Sequence, residues 1–137
     1  HVPMDLICEH YEKRATESGL LVSDATLISP YAGGIPNTPG LWTEEQVNGW
    51  KSVVDAVHKK KGIIYNQLWH IGHTTSSSLM PNNVKPVPLS VISIQGKSIL
   101  TGHYYEIPQL IQDFVIGAKN AIKAGFDDVE PRGATGK

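Results

Sequence analysis

The sequence has a single cysteine, almost no net charge and no long apolar run, and each shortage excludes a class of protein. Cys8 alone cannot form an intramolecular disulfide, which fits a reducing compartment and predicts a cytoplasmic location. Lysine plus arginine number 12 against 13 aspartate plus glutamate, so no partner that is a nucleic acid or a membrane is expected. No apolar run reaches the length of a membrane span, and no signal-peptide pattern opens the sequence.

The histidines also lack the spacing of a metal site. Six are present, and only His70 and His73 lie close together on one segment, without a third ligand. The C-terminal glycines and lysine do not complete a phosphate-binding loop, because the full Gly-x-x-x-x-Gly-Lys-Ser/Thr pattern and a following helix are missing. No metal site is therefore expected.

Apolar periodicity and turn residues divide the 137 residues into alternating helices and strands. Helices are predicted over residues 3–18, 43–60 and 106–124, and buried strands over residues 20–23, 63–68 and 128–130. Irregular segments, residues 24–42 and 69–103, follow the first two strands. Such alternation implies right-handed crossovers, so we expect three adjacent parallel strands with the helices on one face. Periodicity alone leaves open a slice of a barrel or a doubly wound sheet.

Two of the helices carry clear local signals. Thr43 and Gln46 have the spacing of a capping box at the start of the second helix, whose apolar stripe is Val47, Trp50, Val54 and Val57. The third helix has its apolar residues along one side, namely Ile107, Leu110, Ile111, Phe114, Ala118, Ala121 and Ile122.

Three stretches, taken together, resemble the Old Yellow Enzyme family of FMN-dependent ene-reductases. They are residues 23–43, the segment Gln67-Leu68-Trp69-His70-Ile71-Gly72-His73, and residues 124–130 after a long helix. Their order and spacing match strands 2 to 4 of the family's (β/α)₈ TIM barrel, so residues 1–137 are expected to form one partial barrel domain. The resemblance implies FMN as cofactor, NAD(P)H as reductant and an enone or similar activated alkene as substrate. FMN binding by this fragment itself is expected to be weak or absent, because the family builds its phosphate site on later strands.

The resemblance also assigns roles to individual residues. Ala25 matches a position whose backbone contacts the flavin ring, and Gln67 matches a side-chain amide that binds the pyrimidine edge of the flavin. An amide suits that edge because it both donates and accepts hydrogen bonds. The other interpretation of Gln67 is a satisfied polar group at the end of a strand. Both positions lie at or just beyond the carboxyl ends of strands, where barrel enzymes place their chemistry.

The sequence departs from the family after the fourth strand, where the family usually has Ile-His-x-Ala-Asn-Gly-Tyr. Arg132 stands at the His position and Thr135 at the Asn position, so both are predicted to contact substrate. Lys137 stands at the position of the Tyr that donates a proton. Arginine can stabilise an oxyanion and lysine can donate a proton. Pro131 lacks an N–H and is ill suited to an inner barrel strand.

The length of the chain limits what it is expected to do. A complete barrel takes roughly 250 residues or more, so a chain of 137 residues is interpreted as a fragment that is inactive alone and self-associates through unpaired strand edges. A non-catalytic remnant or an interaction module is the alternative. A doubly wound nucleotide-binding domain is disfavoured, because no Gly-x-Gly-x-x-Gly follows a strand.

Overall fold

A computed structural model describes residues 2–3, 5–72, 75–83 and 107–133 of the chain. Helices and strands alternate within these ranges. The helices are α1 (Asp5–Arg14), α2 (Glu44–His58) and α3 (Ile107–Ala124), and the strands are β1 (Leu20–Val22), β2 (Thr26–Leu27), β3 (Ile63–Trp69) and β4 (Asp128–Pro131). Two short 3₁₀ turns, Ser77–Leu79 and Pro81–Asn83, follow β3. No helix in the described ranges is both long and apolar enough to cross a membrane.

All the strands are parallel, and β3 lies at the centre of the sheet. Both β1 and β2 pair with one side of β3, while β4 pairs with the other. The three predicted strands are therefore adjacent and parallel, as expected from right-handed crossovers. Helix α2 packs between α1 and α3, and both α2 and α3 contact β3.

A bulge separates β1 from β2 and corrects the prediction of an irregular segment from residue 24. Val22 pairs with Tyr65, whereas Thr26 pairs with Leu68, so three residues lie opposite two. An extra residue of this kind bends a strand and interrupts its ladder. The hydroxyl of Ser23 fills the interruption by accepting a hydrogen bond from the Gln67 N–H at 3.0 Å.

Helix α2 begins with the predicted capping box and forms the centre of the core. The Thr43 hydroxyl accepts from the Gln46 N–H at 3.2 Å, and the Gln46 side chain accepts from the Thr43 N–H at 3.0 Å. The predicted apolar stripe is buried along its length. It packs with residues of β3, the loop after β2 and α3, among them Ile28, Leu41, Ile64, Leu68, Ala121 and Phe126.

Helix α3 forms as predicted, and only part of its apolar side is buried. Ala121 is fully buried and Leu110, Phe114 and Ala118 pack against the core, but Ile107, Ile111 and Ile122 are each more than half exposed. The helix lies close to the sheet at Gly117, where an added Cβ would come within 3.1 Å of Ile28. Because α3 approaches the core at Gly117, only one edge of its apolar side faces the core.

Two further predictions are corrected near the N-terminus. Helix α1 ends at Arg14 rather than at residue 18, and the chain turns through Ser18, whose φ is +58°. Strand β1 was expected to be buried on both faces. The face opposite the helices, called the open face below, instead leaves Leu20, Val22 and Ile63 substantially exposed.

Candidate functional site

A cavity of about 430 Å³ lies at the carboxyl ends of the strands. Its volume falls within the range of small-molecule sites. Its walls come from four segments: Ser23, Asp24 and Ala25 in the bulge, residues 35–39 in the loop after β2, Gln67 and Trp69 at the end of β3, and Arg132 after β4. Convergence at this end of the sheet is expected, because loops that follow parallel strands meet there.

The bulge holds Ala25 at the wall through a buried network of hydrogen bonds. The side chain of Asn66, which is fully buried on β3, donates to Ser23 Oγ at 3.2 Å and to Thr26 Oγ1 at 3.1 Å. Thr26 Oγ1 in turn donates to the carbonyl oxygen of Asp24 at 3.0 Å. The residues on both sides of Ala25 are thereby fixed to β3, and the small alanine side chain leaves its backbone accessible from the cavity.

The loop after β2 forms the opposite wall and is fixed to the sheet as well. The Leu27 N–H donates to the Pro39 carbonyl at 2.9 Å, and the Leu41 N–H donates back to the Leu27 carbonyl at 3.0 Å. Within the loop, Thr38 Oγ1 donates to the Ile35 carbonyl at 2.8 Å. The wall is therefore hydrogen-bonded to the sheet at its Pro39 end and across its own turn.

Gln67 projects into the cavity between two charged side chains. Its Nε2 donates to Glu130 Oε1 at 3.1 Å, and its Oε1 lies 3.4 Å from Arg132 Nη1. Gln67 and Glu130 are direct partners in the parallel ladder between β3 and β4. The alternation of side chains places residue 132 on the same face as Glu130.

Arg132 is held by its backbone and by Trp69. Its N–H donates to the Leu68 carbonyl at 2.9 Å, so the ladder continues past Pro131, which pairs with Leu68 at the end of β4. The proline is accommodated because β4 has no second strand partner among the described residues. The guanidinium lies over the Trp69 ring, 5.4 Å from its centroid, within the range of cation–π attraction.

His70 follows β3 but does not line the cavity. Burial lowers the pKa of its imidazole, although the charge of Asp113 acts in the opposite direction. Its Nδ1 accepts a hydrogen bond from the Gly72 N–H at 3.0 Å, which requires the neutral ring to carry its proton on Nε2. Within the described ranges, no group of three or more potential ligands could hold a metal ion.

The structure thus brings together Ala25, Gln67 and Arg132, three of the five residues singled out in the sequence. The other two, Thr135 and Lys137, lie outside the described residues, as does His73. Sequence reasoning missed Glu130 as a partner of Gln67. The motif containing Glu130 was recognised, but the contact joins residues 63 positions apart and depends on strand register.

The cavity fits the ring end of FMN better than its phosphate end. It offers a side-chain amide, a small residue beside exposed backbone and an indole, which suit a planar heterocycle. Among the described lining residues Arg132 is the one cation, and no helix N-terminus faces the cavity to hold a phosphate.

A parallel sheet with outer helices and a cavity at the carboxyl ends of its strands is the arrangement of a partial (β/α)₈ barrel. The sequence model of the NADH:flavin oxidoreductase / NADH oxidase family matches residues 1–136. The chain belongs to this family, which confirms the Old Yellow Enzyme resemblance.

Relatives and solved structures agree with this assignment. The chain is 41% identical over 145 residues to 12-oxophytodienoate reductase 1 of Oryza sativa subsp. japonica, covering 99% of this chain and 38% of that protein. Morphinone reductase in complex with tetrahydroNAD superposes with a TM-score of 0.84 at 38% identity, covering 95% of this chain and 40% of that one. The Old Yellow Enzyme homologue from Zymomonas mobilis gives a TM-score of 0.80 at 36% identity, covering 96% and 39%. The chain therefore spans about two-fifths of the length of these proteins.

Proposed function

We propose that the chain forms part of the flavin and substrate site of an FMN-dependent oxidoreductase of the Old Yellow Enzyme type. In this proposal bound FMN would supply the hydride-transfer chemistry, with NAD(P)H as the reductant and an activated alkene as the substrate. The observation that carries the proposal is the convergence of Ala25, Gln67 and Arg132, from three neighbouring strands, on one cavity. The solved complex of morphinone reductase with tetrahydroNAD supports the nicotinamide as reductant.

Each described residue has a distinct part in this proposal. The backbone at Ala25 lies against the flavin ring, because the small side chain permits close approach. Gln67 donates to and accepts from the pyrimidine edge of the ring through its amide. Arg132 donates to the carbonyl oxygen of an enone, and its fixed positive charge stabilises the negative charge that develops there during reduction.

Two assigned roles belong to residues beyond the described ranges and remain predictions. Thr135 is proposed to assist Arg132 in holding the substrate oxygen, and Lys137 to donate the proton to the other carbon of the alkene. Residues 1–137 are proposed to form one domain, part of a barrel.

Flavin binding tests the proposal without requiring turnover. FMN fluorescence and its visible absorbance band are followed as the full chain is titrated into FMN. We expect weak binding, seen as quenching and a spectral shift at high chain concentration, and Gln67→Ala should raise the dissociation constant by about tenfold, because an amide contact with the ring is lost. Ala25→Leu should weaken binding as well, by filling the space beside the ring.

The matched control is Gln112→Ala, which removes an exposed glutamine of α3 that lies away from the cavity. Binding that is absent, or equally affected by Gln67→Ala and Gln112→Ala, would overturn the proposal. The alternative of a non-catalytic interaction module would then be favoured by the exposed apolar residues of the open face.

A further inference from the structure

The side-chain amide of Gln67 can take only one orientation between its two charged neighbours. A carboxylate such as Glu130 only accepts hydrogen bonds, so the NH₂ group must face it. A guanidinium such as Arg132 only donates, so the amide oxygen must face that side. Rotation of the amide by half a turn would oppose oxygen to oxygen and N–H to N–H, and both contacts would become repulsive.

The backbone fixes this arrangement before any ligand binds. Gln67 and Glu130 are paired in the β3–β4 ladder, and partner residues of neighbouring strands lie roughly 5 Å apart. On the other side of β3, the Gln67 N–H is bound to the Ser23 hydroxyl. The Arg132 guanidinium lies over the ring of Trp69. The clamp, defined here as Glu130 and Arg132 on either side of the Gln67 amide, is therefore set by strand register.

The clamp leaves a defined hydrogen-bonding capacity for a ligand. A primary amide has two N–H donors and two acceptor lone pairs. Glu130 uses one donor and Arg132 engages one lone pair, so one donor and one acceptor remain on Gln67. An imide presents an N–H next to a carbonyl oxygen, which is the complementary pair.

We propose that Glu130 and Arg132 are positioning residues that hold the Gln67 amide in one orientation and make the cavity selective for a heterocycle with an unsubstituted imide edge. The isoalloxazine ring of a flavin carries such an edge, and to that extent the inference rests on the proposed function. Glu130 acts only through Gln67. Preorganising the amide favours binding, since its orientation is fixed before the ligand arrives.

The test compares lumiflavin with 3-methyl-lumiflavin, in which a methyl group replaces the imide hydrogen. Both lack the phosphate, so the comparison reports on the ring alone. Dissociation constants are measured with the full chain by flavin fluorescence. We expect lumiflavin to bind at least about fivefold more tightly, because the methylated ring leaves the remaining acceptor of Gln67 unsatisfied.

Variants of Glu130 then separate positioning from a structural role. Glu130→Ala should lower the ratio of the two dissociation constants towards one, and Glu130→Gln, which keeps an acceptor for Gln67, should restore part of it. The matched control is Asp128→Ala, which removes an exposed carboxylate from the same strand, where its oxygen bonds the neighbouring Val129 N–H. That variant should leave the ratio unchanged.

A measurement on the free chain makes the inference independent of flavin affinity. The side-chain amide protons of Gln67 are observed by NMR, and Glu130→Ala should shift them and speed rotation about the amide bond, while Asp128→Ala should not. Unchanged amide resonances in Glu130→Ala would overturn the clamp. Equal binding of the two flavins by the unaltered chain would overturn imide selectivity and leave the proposed function standing, whereas binding of neither would overturn both.

Discussion

The hydroxyl of Tyr11 accepts a hydrogen bond from the Asp24 N–H at 2.7 Å and thereby joins α1 to the bulge that lines the cavity. Tyr11 is 4% exposed. Burial raises the pKa of Tyr11 to about 12. The hydrogen bond with the Asp24 backbone lowers the pKa by less than burial raises it, and the Asp24 carboxylate acts in the same direction as burial. The neutral phenol is therefore part of the folded state.

This contact predicts a loss of stability in alkali. Because the pKa is higher in the folded chain than its ordinary 10.0, the contribution of Tyr11 is complete below pH 10 and is lost as the pH rises towards 12. Tyr11→Phe should cost about 1 kcal/mol at neutral pH and remove this part of the alkaline decline. Urea unfolding at several pH values checks it, and an equally steep decline in the variant would contradict it.

A second prediction concerns Asp127, which joins the starts of β3 and β4 to the end of α2. Its Oδ2 accepts from the Ile64 N–H at 2.8 Å and lies 2.9 Å from His58 Nε2. Burial alone would raise the pKa of this carboxyl, but the hydrogen bonds from His58 and Ile64 outweigh it and lower the pKa below 3.8. The stabilisation is thus present above pH 3.8 and lost as the pH falls through the lowered value.

Asp127→Asn should therefore reduce the free energy of unfolding at pH 6, and the difference from the unaltered chain should narrow in acid. The loss should stay below about 1 kcal/mol, because both side chains are more than a third exposed and water screens their attraction. Chemical unfolding at pH 6 and pH 3 measures it. Asp128→Asn is the control, and an equal effect in both variants would rule out a specific role for Asp127.

A third prediction is that the 137-residue chain alone does not reduce a small enone. Under the assignment that the resemblance implies, Arg132, Thr135 and Lys137 stand in place of the groups that orient and protonate substrate in the family, and the described cavity has a single cation to hold a dianionic cofactor. NADPH consumption with excess FMN and cyclohexenone should equal that of the same mixture without protein.

Turnover above that background would contradict the prediction, and Lys137→Ala would then test the proton donor. The triple replacement Arg132→His, Thr135→Asn and Lys137→Tyr should not restore turnover, since the chain spans about two-fifths of the solved enzymes it resembles. Recovery in that variant would locate the defect in these three residues.

The fourth prediction is that the isolated chain self-associates through the open face. Leu20, Val22 and Ile63 are exposed there, and the parallel edges of the sheet add unpaired backbone groups. Replacing both Leu20 and Ile63 by Thr should lower the apparent mass in sedimentation. Leu6→Thr, which changes an exposed leucine of α1, should not. A compact monomer of the unaltered chain at all concentrations would refute the idea.

Local signals explain what could be predicted from the sequence. The capping box of Thr43 and Gln46 involves residues three apart, so its residue types suffice to locate the start of α2. The three principal strands were recognisable because short apolar runs lay between helices. Crossover connections between consecutive strands imply that the strands are parallel, and parallel strands end on the same side, which placed Ala25, Gln67 and Arg132 at one end of the sheet.

Long-range pairing explains what could not be predicted. The two residues of β2 are followed in the sequence by a segment rich in turn-forming residues, which hides the strand. Their strand conformation depends on pairing with Leu68 and Trp69. Ile111 and Ile122 extend the apolar side of α3 beyond what the sheet covers, so periodicity overstated its burial. The contact between Gln67 and Glu130 likewise required the register of β3 against β4.

The bulge between Val22 and Thr26 also reverses which face of the sheet each later residue occupies. If residues 23–25 continued the ladder of β1 without a bulge, Thr26 would lie opposite Trp69 and lose its place beside Asn66 beneath the helices. Deletion of a single codon here would leave two residues opposite Asn66 and Gln67, so Thr26 would keep Leu68 as its partner and Ile28 its place in the core, but the bulge that places Ala25 at the cavity wall would be lost. Length changes in the loop over residues 30–38 leave the bulge and the pairing of β2 with β3 in place, so we expect an engineered change in chain length to be tolerated better on that wall of the cavity than on the wall formed by the bulge.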